Sequence, residues 1–151
     1  MEGFFNFDWL EKKQKYTLGK NERLKSRKAI EQLFADGKSF SLFPFKIIYN
    51  TASLTLNLKP ETLNLQSAFS VSKRYFKKAT DRNRVKRLMR EAYRLQKNDL
   101  ENNLQQNNKQ AVVFFLYVGN EIPEYELVKE KINAALKKLQ KLINETPAAN
   151  T

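Results

Sequence analysis

Phe69-Ser-Val-Ser-Lys-Arg-Tyr-Phe-Lys-Lys-Ala-Thr-Asp-Arg-Asn-Arg-Val-Lys-Arg-Leu-Met-Arg-Glu-Ala-Tyr-Arg94 passes from a strand pattern to a helix pattern across a short basic connection. In Gln66 to Lys73, Ala68, Ser70 and Ser72 alternate with Phe69, Val71 and Lys73, the period of a strand with two different faces. The period then changes. Thr80 or Asp81 can cap a helix running at least to Lys97, with Val85, Leu88, Met89, Ala92 and Leu95 in one apolar stripe. Arg82, Lys86, Arg90, Tyr93 and Lys97 form a second stripe, which Asn83, Arg87 and Arg94 widen. Glu91 lies four residues from Arg87 and reads as its intrahelical partner. Between Ser70 and Lys97 stand eleven Lys or Arg against two acids, so this stretch holds most of the chain's net charge of +12. Such a local concentration points to a polyanionic partner.

Upstream, Ser26 can cap a short helix with Ala29, Ile30, Leu33 and Phe34 on one face, stopped at Asp36-Gly37. Pro44 marks the start of a strand through Lys46-Ile47-Ile48-Tyr49, and Leu54-Thr55-Leu56-Asn57-Leu58 alternates as a second strand. Downstream, the Asn- and Gln-rich stretch from Asn98 to Gln110 reads as a fraying helix end and a loop. Ala111 to Val118 is continuously apolar and reads as a central strand buried on both faces. Pro123 opens a last helix whose stripe is Tyr125, Val128, Ile132, Ala135, Leu136, Leu139 and Ile143. The order α-β-β-β-α-β-α predicts an α+β two-layer sandwich, with helices on one face of a small sheet and a ligand groove on the other. Residues 1–17 read as an aromatic and charged extension, 18–144 as the single domain and 145–151 as a tail.

The 151 residues fit one domain, and eleven Phe, six Tyr and one Trp supply a core. The chain has no Cys and no His, which removes disulfides, Cys or His zinc sites, thiol nucleophiles and every His-based triad. Carboxylate chemistry stays possible. The start, Met1 to Leu10, lacks the basic opening and apolar run of a signal peptide, and no stretch is long enough to span a bilayer. A cytoplasmic location is the expectation.

The chemistry of the basic segment suits folded RNA. Arg offers a planar fork to phosphate oxygens, Lys a point charge, and Asn83 in the first turn can meet a base or a sugar hydroxyl. A helix N-terminus adds unpaired amides and partial positive charge beside Arg82, Asn83 and Arg84. Three other readings stand beside this one: a solvated cationic helix that covers a core, a DNA recognition helix, and a membrane-surface helix. The segment before the helix is strand-like, which leaves no partner helix for a helix-turn-helix.

Phe69 to Arg74 followed by Ala79 to Arg94, with its Arg82-Asn83-Arg84 box, resembles the signature of the bacterial ribonuclease P protein family. Arg23-Leu24-Lys25, Ile30, Phe34 and Gly37 resemble that family's opening helix, and the likeness runs from Leu18 to Ile143. The resemblance implies a holoenzyme that removes the 5′ leader from precursor tRNA. An RNA subunit would perform the hydrolysis with Mg²⁺ held mainly by RNA and substrate, with no organic cofactor. The partners implied are the catalytic RNA and precursor tRNA, with no membrane, no obligate protein partner, and neither catalytic nor metal-binding residues on this chain.

By the same resemblance, Lys73, Arg74, Lys77, Lys78, Arg82, Asn83, Arg84, Lys86, Arg87, Arg90 and Arg94 would face RNA. Ile30, Phe34 and Tyr49 would line a cleft for the single-stranded leader between the first helix and the sheet. Ile30 and Phe34 fit equally well as ordinary core residues of an amphipathic helix. The chain departs from the family at Ile30, often Phe elsewhere, and at Phe76-Lys77-Lys78, where a Gly usually precedes the box. The family also implies a left-handed β-α-β crossover, opposite to the general rule. A noncatalytic RNA-binding or ribosomal protein is the alternative function.

Overall fold

The computed structural model describes residues 23–53, 65–107 and 109–145. In chain order these form α1 (Arg27–Asp36), β1 (Lys38–Leu42), β2 (Phe45–Ser53), β3 (Leu65–Val71), α2 (Ala79–Gln96), α3 (Asn98–Gln106), β4 (Lys109–Tyr117) and α4 (Tyr125–Glu145). The four strands make one sheet in the order β1-β2-β4-β3. The pairs β1 with β2 and β2 with β4 are antiparallel, while β3 and β4 are parallel neighbours joined through α2 and α3. The class is α+β. The Leu54 to Leu58 strand expectation falls outside the described residues.

β4 is apolar at nearly every position because it is an inner strand covered on both sides. Val113, Phe115 and Tyr117 enter the main core, while Phe114 belongs to a smaller cluster on the opposite face, against which Val112 and Leu116 pack. On the main side, Phe69 of β3 stacks on Phe115 with centroids 5.4 Å apart. Tyr93 of α2 meets both rings edge-on, at 5.2 and 5.6 Å. Val85, Met89 and Ala92 complete the buried stripe of α2, and Val128, Ile132, Ala135, Leu136, Leu139 and Ile143 that of α4. Gln96 Nε2 ties these two helices by donating to Lys129 O at 3.1 Å.

Several expectations are corrected. α1 does not share the layer of the other helices: its Leu33 packs with Leu24, Ile48 and Phe114 on the opposite sheet face. The segment beginning at Pro44 is the second arm of a hairpin, and Lys38–Leu42 is the first, an exposed five-residue edge strand. Asn98–Gln106 is a helix rather than a frayed loop, because Leu100 and Leu104 are four apart and fully buried. α2 starts earlier than a Thr80 or Asp81 cap allows. Lys78 is its N-cap residue, with no side-chain cap bond.

The faces of α2 also differ in detail. Tyr93 and Lys97, expected on the cationic stripe, are buried, and Lys97 Nζ lies 3.1 Å from Glu101 Oε1. Leu95, expected in the core, is exposed. Glu91 pairs with Arg94 rather than Arg87. The opening helix behaves as expected: Ser26 Oγ accepts from Ala29 N at 3.3 Å. Gly37 donates its N–H to Leu33 O at 2.7 Å. A Cβ at Gly37 would stand 2.3 Å from that carbonyl, so only glycine fits the stop.

Candidate nucleic-acid interface

Where β3 leaves the sheet, Ser72 N still donates to Tyr117 O at 3.1 Å, so the connection to α2 starts from a fixed point. Arg74 N donates to Ser72 Oγ at 3.3 Å, turning the chain outward. Phe76 turns it back. Its ring is buried, 6.1 Å from the Tyr117 ring. Arg82, one turn into α2, then closes the connection: its Nη1 donates to Phe76 O at 2.7 Å and to Lys77 O at 2.9 Å. This side chain is therefore committed to the backbone of the loop that precedes its own helix.

The result is a ridge. Lys73, Arg74, Lys77 and Lys78 are exposed along the connection, and Asn83, Arg84, Arg87 and Arg90 along α2. Arg82, Lys86 and Arg94 are half-buried. Arg94 Nε donates to Glu91 Oε2 at 3.1 Å, and a second bond joins its Nη2 to Glu91 Oε1. These bonds hold the Glu91 carboxyl below its usual range and raise the Arg94 guanidinium. Arg94 is thus partly neutralised, whereas the eight exposed members present their groups to solvent. On the opposite side of α2, Val85, Met89, Ala92 and Tyr93 lock the helix into the core, so the charged face cannot turn inward.

The three expected cleft residues do not come together. Phe34 is 51% exposed and meets Phe114 edge-on at 5.0 Å, with Ile30 half-buried in the same cluster. Tyr49 is buried in the main core on the other face, edge-on to Phe40 at 6.0 Å, and burial raises its hydroxyl pKa. Alternation along β2 explains the separation: Tyr49 shares a face with Phe45 and Ile47, and Ile48 points the other way. Phe114, with Ala68, Val112 and Leu116 beside it, takes the place expected of Tyr49. In a fully apolar strand, the sequence does not show which alternate set faces which layer. Lys46 shares the parity of Ile48, is exposed and pairs in register with Leu116, which adds a cation on that side.

Among the described residues, no group of three or more His, Cys, Asp or Glu side chains could hold a metal ion. No helix among them is long and apolar enough to cross a membrane. A four-stranded mixed sheet whose crossover helix carries a fixed cationic ridge defines a basic α+β protein shaped to meet a polyanion.

The Ribonuclease P family model matches residues 18–140, and the chain belongs to that family, one of tRNA processing. It is 36% identical over 121 residues to the ribonuclease P protein component of Porphyromonas gingivalis, covering 80% of this chain and 85% of the relative. To the ribonuclease P protein component of Chlorobaculum tepidum it is 34% identical over 144 residues, covering 91% of each. A solved structure of the Staphylococcus aureus RNase P protein superposes with a TM-score of 0.53 at 18% identity, covering 78% of this chain and 94% of that one. That likeness is one of fold.

Proposed function

We propose that this chain is the protein subunit of a ribonuclease P holoenzyme, binding a catalytic RNA and the 5′ leader of precursor tRNA while the RNA subunit performs the hydrolysis. The observation that carries this reading is the ridge of exposed cations on α2 and its leading connection, fixed by a buried stripe on the reverse side. The arginines meet phosphates in forked geometry, the lysines add charge, and Asn83 reads a base or sugar hydroxyl. Mg²⁺ would be held by RNA and substrate. The protein's part is to neutralise phosphates and orient the substrate, with no side chain taking a proton from the reacting water. A cytoplasmic location follows from the same reading.

The exposed Phe34 ring, set against Phe114 with Ile30 in the same cluster and Lys46 on the same sheet face, supports a place for unpaired leader nucleotides, because an exposed ring and a cationic neighbour suit stacking. Reconstitution with a bacterial catalytic RNA at low Mg²⁺, assayed on precursor tRNAs with long and trimmed leaders, tests the proposal. Stimulated, leader-dependent cleavage is expected. RNA affinity without any stimulation would favour a noncatalytic RNA-binding protein instead.

A further inference from the structure

Tyr75 is an aromatic residue in the turn of the β3–α2 connection, and it is 48% exposed. Its neighbour Phe76, one residue on, is buried in the core. The burial of Phe76 fixes the chain at that point and leaves Tyr75 on the solvent side of the turn. The Arg74 guanidinium carbon lies 5.5 Å from the Tyr75 ring centroid, a cation–π contact that steadies the ring. Arg82 clamps the carbonyls of Phe76 and Lys77, while Arg74 N is held by Ser72 Oγ, so the backbone carrying Tyr75 is secured at both sides.

Tyr75 therefore offers a large ring face to solvent beside a core that takes its neighbour. Its surroundings are cationic: exposed Lys73 and Lys77 flank it, with Arg74 against it. Duplex RNA offers such a ring little, because its bases are stacked inside and its shape is read through phosphates and 2′-hydroxyls. An unpaired base offers a π face, and base–aromatic stacks beside cations are the usual way of holding one. Resting on the ribonuclease P reading, we propose that Tyr75 with Arg74 is a stacking platform for one unpaired base of the catalytic RNA, while Lys73 and Lys77 hold the adjoining phosphates. The RNA segment docked at this end of the ridge is therefore a bulge, loop or single-stranded joint, not a continuous helix.

The test uses the full chain and a bacterial ribonuclease P catalytic RNA, with affinity measured over a range of salt for wild type, Tyr75→Ala and Tyr75→Phe. Loss of one stack weakens binding roughly five- to hundredfold. It leaves the slope of log affinity against log salt unchanged, because the same phosphates stay neutralised. Tyr75→Phe keeps the ring and should bind within about twofold of wild type. Placing 2-aminopurine in unpaired positions of the RNA should identify one whose fluorescence is quenched by wild type and not by Tyr75→Ala. Wild-type affinity in Tyr75→Ala, or no unpaired position whose 2-aminopurine is quenched only by the wild type, would overturn the platform and leave the holoenzyme reading standing. Failure of the wild-type chain to bind the catalytic RNA would overturn both.

Discussion

Replacing Arg82 by Met separates two roles that a count of basic residues merges. Methionine keeps the unbranched stem and removes the guanidinium that donates to Phe76 O and Lys77 O. A bond from a charged donor contributes about 1.5–3 kcal/mol. Both bonds start from one nitrogen, and water can replace the exposed one at Lys77, so the pair contributes about 2 kcal/mol. For a domain of this size, each kcal/mol moves the melting midpoint by about 2–4 °C, giving a fall of about 4–8 °C. Circular dichroism melts measure it directly. The companion measurement is the salt dependence of RNA binding, where Arg82→Met should weaken affinity by loosening the connection while the slope stays near wild type. An unchanged midpoint with a slope flatter by about 0.7–0.9 would mean that Arg82 grips a phosphate, and would refute the clamp.

The exposed Arg87 and Arg90 should behave in the opposite way: changing both to Ala flattens the salt slope by about 0.7–0.9 for each phosphate no longer neutralised, with the melting midpoint barely moved. Glu91 has a carboxyl pKa lowered chiefly by the hydrogen bond from Arg94, so its contribution is fully present above the unfolded value of about 4.3. That contribution fades as pH falls through the folded value. Both partners are partly exposed, so Glu91→Gln should destabilise only slightly near neutral pH, with the difference from wild type vanishing in acid denaturation curves. Leu104→Ala, at a fully buried position of α3, should cost about 2–5 kcal/mol in urea unfolding, whereas a loop residue would cost almost nothing.

The basic helix and the strand before it were legible because each carries its own period, and in α2 charge and apolar stripe exclude each other almost completely. The exceptions have physical causes. Tyr93 sits at the border of the stripe, and its ring is drawn against the stacked pair Phe69 and Phe115, meeting each edge-on. Lys97 is buried with Glu101, in the first turn of α3, meeting its ammonium. α3 itself was hidden by Asn and Gln, which suggest a loop by composition, while the two leucines that decide the matter are outnumbered. β1 was hidden by brevity and by serines at alternate exposed positions, as befits an edge strand.

For the site, residue type showed where charge gathers but not what each charge faces. Arg82 lies in the densest part of the motif and is turned back on its own loop, a fact that depends on where Phe76 anchors the chain. The placement of Tyr49 failed for a related reason. Its ring could stack on a nucleotide in principle, but strand parity put it under the helical layer, and Phe114 stands with Ile30 and Phe34 on the other face instead.

The smaller cluster on the α1 face has a dynamic consequence. Leu33 is the only buried residue that α1 contributes, and withdrawing one such side chain costs about 1.5–3 kcal/mol. That is well below the expense of opening the layer formed by α2 and α4. Amides of α1 should accordingly exchange through a local swing of the helix rather than through global unfolding. The exposed Phe34 ring thus rides on a helix that can yield, while Phe114 against it belongs to the sheet and the ridge on α2 is backed by the main core.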